Sequence, residues 1–111
     1  MQLIYYPKCS TCQKALRQLK RQGLNVELRD IVLNTPTQDE LKERMKQYGI
    51  KPFFNTSGKL YQKMKLKDKI NDLSIDEAAK LLATNGMLIK RPLLIMEEQV
   101  IIGYQKEIYE Q

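Results

Sequence analysis

The chain has 111 residues, two cysteines, no histidine and no tryptophan, and its 19 lysines and arginines against 13 acidic residues give a formal charge of +6. That length suits one domain that buries its own core without staples. Two cysteines without histidine leave a Cys/His zinc site two ligands short of the tetrahedral four, and no stretch approaches the roughly 20 apolar residues of a membrane span.

The lysines are spread along every segment, with no arginine tract and no basic region. They read first as a solvated face and second as a surface for acidic partners or oxyanions. Direct nucleic-acid binding is not expected. Leu3-Ile4-Tyr5-Tyr6 is too short for the apolar part of a secretion signal, and Pro7-Lys8 follows it. The expectation is a soluble, cytoplasmic monomer without a bound cofactor or metal. In that compartment thiols are kept reduced and a disulfide is transient.

Leu3-Ile4-Tyr5-Tyr6 reads as a buried strand that Pro7 ends, because proline has no N–H for the next ladder bond. From Thr11 onward, Ala15, Leu16 and Leu19 recur at helical spacing with polar residues between them. Cys9 therefore sits in the turn before a helix N-terminus and Cys12 in the first turn. Free N–H groups and the helix dipole favour a thiolate there. Cysteines of C-x-x-C motifs at such positions have pKa values of about 3.5–7.5. Lys8 adds a cation. Cys9 is the expected nucleophile, and Cys12 is placed to attack a mixed disulfide at Cys9. Ser10 and Thr11 supply hydroxyls and N–H groups, as anion donors or as a helix cap. Half of a zinc site and two inert buried cysteines are the bland alternatives. A redox pair is favoured, because a cytosolic C-x-x-C beside a β-α-β pattern is the thioredoxin-like signature.

Gly23 closes the helix as a C-cap, and Val26, Leu28 and Ile31 suggest a second strand ending near Asp30. Thr37 with Glu40 fits a capping box, opening a helix through Leu41 and Met45 to Gly49. Residues 51–58 form a loop with two aromatics. Leu60, Tyr61 and Met64 give a short helix, and Leu66 to Ile70 another turn. Ser74 with Glu77 opens a helix that Asn85-Gly86 ends. Met87-Leu88-Ile89 reads as a strand leading to Arg91-Pro92. Leu93–Met96 and Val100–Gly103 read as a hairpin, and 104–109 as a terminal helix. Met87, Met96 and Tyr61 are expected in the core. The order is β-α-β, a helical block over about 37–84, then β-β-α. That is an α/β, thioredoxin-like fold with a mixed sheet of about four strands and a helical insertion, in a single domain over 1–111.

With Cys9-Ser10-Thr11-Cys12, Gly86-Met87-Leu88-Ile89-Lys90-Arg91-Pro92 and the Val100–Gly103 strand, the chain resembles the arsenate reductase (ArsC)/Spx family over nearly its whole length. Tyr6-Pro7-Lys8-Cys9 is similar to the family's active-site loop. Phe53–Gly58 and Leu66–Lys69 are similar to its helical insert. The resemblance implies that Cys9 takes the place of the cysteine that attacks arsenate, with glutathione and glutaredoxin, or thioredoxin, as reductant. It also implies that Arg91 is one of three arginines around the oxyanion. Lys59 and Tyr104 stand at the other two positions, and Gln13 replaces the arginine after the active-site motif. A guanidinium fork clamps a tetrahedral oxyanion better than an ammonium does. Pro92 matches the cis-proline that faces the active-site cysteines. The substrate is then a small oxyanion or a protein disulfide. The family's Spx-type regulators carry the same C-x-x-C switch, bind the C-terminal domain of the RNA polymerase α subunit, and usually extend past the position of Gln111. The expected function is a thiol–disulfide oxidoreductase, with a redox-sensing regulator as the alternative.

Overall fold

The computed structural model describes residues 1–110. They form two compact units, one of residues 1–31 with 91–110 and one of residues 32–90.

The first unit carries the sheet. Strands β1 (Gln2–Tyr5), β2 (Glu27–Asp30), β3 (Leu93–Ile95) and β4 (Val100–Ile102) lie in the order β2-β1-β3-β4. β2 runs parallel to β1, and β3 and β4 are antiparallel to their neighbours. The parallel pair is joined by helix α1 (Ser10–Arg21), as a parallel connection requires. Helix α1 ends as the chain passes Gln22 into Gly23, whose φ of +74° is the left-handed conformation that glycine adopts without strain.

Strand periodicity sorts the apolar residues onto two faces. Leu3, Leu94 and Ile101 are cross-strand neighbours and share one face. They pack with Ala15, Leu16 and Leu19 of α1 and with Tyr109 of the short terminal helix α5 (Lys106–Tyr109). Ile4 and Leu93, which alternate to the opposite face, are also buried. Leu28 departs from its expected inward place: β2 is an edge strand, and Leu28 is 44% exposed.

The second unit lies between β2 and β3 in the chain. Helices α2 (Gln38–Tyr48) and α4 (Ile75–Ala83) both open with complete capping boxes, Thr37 with Glu40 and Ser74 with Glu77. They bury Leu41 and Met45 on one side and Ala78, Ala79 and Leu82 on the other. Between them lie the short helix α3 (Lys59–Lys63) and three 3-10 turns, with Phe53, Phe54 and Tyr61 buried. The rings of Phe54 and Tyr61 meet edge to face at 6.2 Å.

Met87-Leu88-Ile89 does not form the expected strand. Gly86–Leu88 is a 3-10 turn, and pairing is confined to one bridge between Ile89 and Phe54. The reason is local: the Asn85 side chain accepts from the Met87 N–H at 2.9 Å, capping a turn. A short apolar run does not distinguish a buried strand from a buried turn. No helix of the described residues is long and apolar enough to cross a membrane.

Candidate active site

The first unit brings Cys9, Cys12, Arg91 and Pro92 to one end of the sheet. β1 delivers the chain to Tyr5, and the turn Tyr6-Pro7-Lys8 leads into α1. Two bonds hold this turn. The Cys9 N–H donates to the Tyr6 carbonyl at 3.0 Å, and the Gln13 side-chain amide donates to the Pro7 carbonyl at 2.6 Å. Gln13 thus braces the loop.

Cys9 is the N-cap residue of α1, half-buried, with extended backbone. Cys12 is the third helical residue and fully buried. The two side chains are within hydrogen-bonding reach of each other. Their electrostatics diverge. Burial works against the Cys9 thiolate, but it is outweighed by the Cys12 N–H and thiol, the Arg91 charge and the Thr11 N–H. The net effect holds the Cys9 thiol below its ordinary value. The cap geometry explains this, since the first N–H groups of a helix lack intrahelical partners. Burial pushes the Cys12 thiol up to about 12, and the neighbouring Cys9 adds to the shift. The Tyr6 N–H, which donates to Cys12 Sγ at 3.5 Å, and the Arg91 charge oppose it.

Arg91 immediately precedes β3, and the Arg91–Pro92 peptide bond is cis. Its guanidinium carbon lies 5.4 Å from the centre of the Tyr6 ring, a cation–π contact. Its Nε and Nη1 are buried and have no hydrogen-bond partner among the described residues. Buried donors without acceptors are costly, and an anion bound there would satisfy them. Pro92 is buried, and its carbonyl accepts from the Gly103 N–H at 2.8 Å. Gly103 has φ +77°, so a side chain there would be strained.

Lys8, Ser10 and Thr11 are exposed around the turn. Lys59 is exposed at the first position of α3, in the second unit. Tyr104 is half-buried with its ring 5.0 Å from that of Tyr109, edge to face. Sequence reasoning placed Tyr6 in the active-site loop but gave it no role of its own; its ring supports Arg91 and its N–H donates to Cys12. A tyrosine beside a C-x-x-C turn carries no pattern that separates it from core.

The geometry agrees with what the chain is similar to. It is 41% identical to the protein YusI of Bacillus subtilis, over 96% of this chain and 92% of that one. It is 30% identical to the global transcriptional regulator Spx 2 of Bacillus anthracis, over 89% of this chain and 76% of the regulator. A solved structure described as a possible arsenate reductase, from Streptococcus mutans UA159, superimposes with a TM-score of 0.89 at 44% identity, covering 95% of this chain and 91% of that one. The ArsC family model matches residues 4–111. A half-buried Cys9 capping α1, a buried Cys12 beside it and a sheet in the order β2-β1-β3-β4 are thus the thioredoxin-like core of a chain that belongs to the ArsC family.

Proposed function

We propose that the protein is a thiol–disulfide oxidoreductase of the arsenate reductase-like kind, with Cys9 as nucleophile and Cys12 as resolving cysteine. The observation that carries this reading is the placement of the two thiols: Cys9 is half-buried at the N-cap of α1, which favours its thiolate, while Cys12 is buried in the first turn, which disfavours its own. The Cys9 thiolate attacks one sulfur of a substrate disulfide. That S–S bond breaks, and the departing thiolate takes a proton from water. The Cys12 thiolate then attacks the Cys9 sulfur and expels the second substrate thiol. Two electrons pass from the two protein thiols to the substrate, leaving a Cys9–Cys12 disulfide. An external thiol of the glutathione, glutaredoxin or thioredoxin class reduces it again.

With arsenate, Cys9 displaces one oxygen as water and forms a sulfur–arsenic bond. Attack by Cys12 on the Cys9 sulfur leaves that bonding pair on arsenic and releases arsenite. The buried nitrogens of Arg91, without a partner among the described residues, support an anion subsite beside Cys9. The N–H groups and hydroxyls of Ser10 and Thr11 and the charge of Lys8 are its other proposed contacts.

Mild oxidation with diamide tests the pairing. Both free thiols should disappear with no dimer on a non-reducing gel. A dominant disulfide-linked dimer defeats the resolving role of Cys12.

The match with the regulator Spx 2 supports a second reading, a redox-sensing regulator that binds the C-terminal domain of the RNA polymerase α subunit. Binding of that purified domain, stronger with one redox state of Cys9 and Cys12 than the other, would favour it. Arsenate or disulfide turnover without such binding favours the enzyme.

A further inference from the structure

The resolving step needs a Cys12 thiolate, yet Cys12 is buried and its thiol is pushed up to about 12. Something must help it ionise when its turn comes. Part of the opposition is removed by the first step itself, because Cys9 loses its charge in the mixed disulfide. The Tyr6 N–H already points at Cys12 Sγ. One further polar group is unaccounted for in this part of the core.

Tyr109 is 2% exposed, and its hydroxyl has no hydrogen-bond partner among the described residues. An apolar core has no use for an unpaired hydroxyl; phenylalanine would fill the same space without that cost. Tyr109 packs with Ala15, Leu16 and Leu19 of α1, and Cys12 is buried on the same helix, one turn before Ala15 and Leu16. Its carbonyl accepts from the Gln22 side chain near the far end of α1. Its ring is held edge to face by Tyr104.

We propose that Tyr109 is a positioning residue for Cys12: its otherwise unpartnered hydroxyl donates a hydrogen bond to the Cys12 thiolate as that thiolate attacks the mixed disulfide at Cys9. Burial, the Cys12 charge and Tyr104 all push the Tyr109 hydroxyl above its ordinary range, so it stays protonated and acts only as a donor. The titratable or charged groups acting on Cys12 are Cys9 and Arg91, and the Cys12 charge in turn is felt at Tyr109. The inference rests on the resolving role of Cys12 proposed above.

The test uses 5,5′-dithiobis(2-nitrobenzoate) as the disulfide. Attack by Cys9 releases one coloured thiolate, and attack by Cys12 on the mixed disulfide releases a second. In Tyr109→Phe the first phase should be unchanged and the second slowed roughly tenfold, the scale of one hydrogen bond to a charged group. The pH profile of the second phase should shift upward, so that a higher pH recovers the rate. The unfolding midpoint should not fall, because only an unpaired hydroxyl is removed. An unchanged second phase overturns the inference. So does a slowing shared by both phases, or one accompanied by a lower midpoint. A wild type that releases one equivalent and stops removes the resolving role itself, and Tyr109's role with it.

Discussion

Cys12→Ser is expected to convert a cycling protein into one that stops at a mixed disulfide. In the wild type the second sulfur sits one helical turn from Cys9, buried and within hydrogen-bonding reach of it. Held groups react at effective concentrations far above those of free thiols, so even a thiol that ionises poorly outcompetes millimolar glutathione. Its loss should slow release of the second substrate thiol by on the order of a hundredfold or more. Serine fills nearly the same space, so folding should survive. Incubation with oxidised glutathione followed by intact mass should show one glutathione per chain, on Cys9. The wild type should show none and should lose two protons' mass instead. A Cys12→Ser protein that turns over at the wild-type rate would mean that an external thiol does the resolving.

The second large effect belongs to Arg91. Two of its guanidinium nitrogens are buried without acceptors among the described residues, and its charge favours the Cys9 thiolate. Arg91→Met keeps much of the volume and removes both features. Each hydrogen bond to a charged group contributes about 1.5–3 kcal/mol, so arsenate or sulfate affinity should fall at least tenfold by isothermal titration. The Cys9 thiol should become less acidic, and its reaction with disulfides near neutral pH slower. The unfolding midpoint should hold or rise, because buried donors without partners oppose folding. Unchanged anion affinity in Arg91→Met would remove the anion subsite from the account.

Much of this arrangement is written locally. Cys9 and Cys12 fall where a strand gives way to a helix, and both capping boxes announce their helices in four residues each. The hairpin at β3 and β4 follows from two apolar runs around Glu97-Glu98-Gln99. What the chain does not spell out depends on distant partners. Leu28 looks like an inward strand residue, but only sheet order reveals that β2 is an edge. Met87-Leu88-Ile89 has strand composition, and one Asn85 side chain turns it into a 3-10 turn. The cis bond before Pro92 is implied by the family resemblance and not by its neighbours. Tyr109 is legible only once α5 is folded back onto α1, since nothing near it in sequence marks its hydroxyl as unpartnered.

The central claim is that Cys9, not Cys12, is the nucleophile. It is tested most directly by iodoacetamide alkylation at graded pH, read separately at each cysteine by peptide mass. Alkylation follows the thiolate, so the rate at each site rises as pH climbs through that thiol's pKa. Cys9 should reach half its limiting rate below the ordinary thiol value of 9.0. Cys12 should stay nearly unlabelled until the pH approaches its own value of about 12. Faster labelling of Cys12 than of Cys9 near neutral pH would contradict the assignment and reverse the two roles.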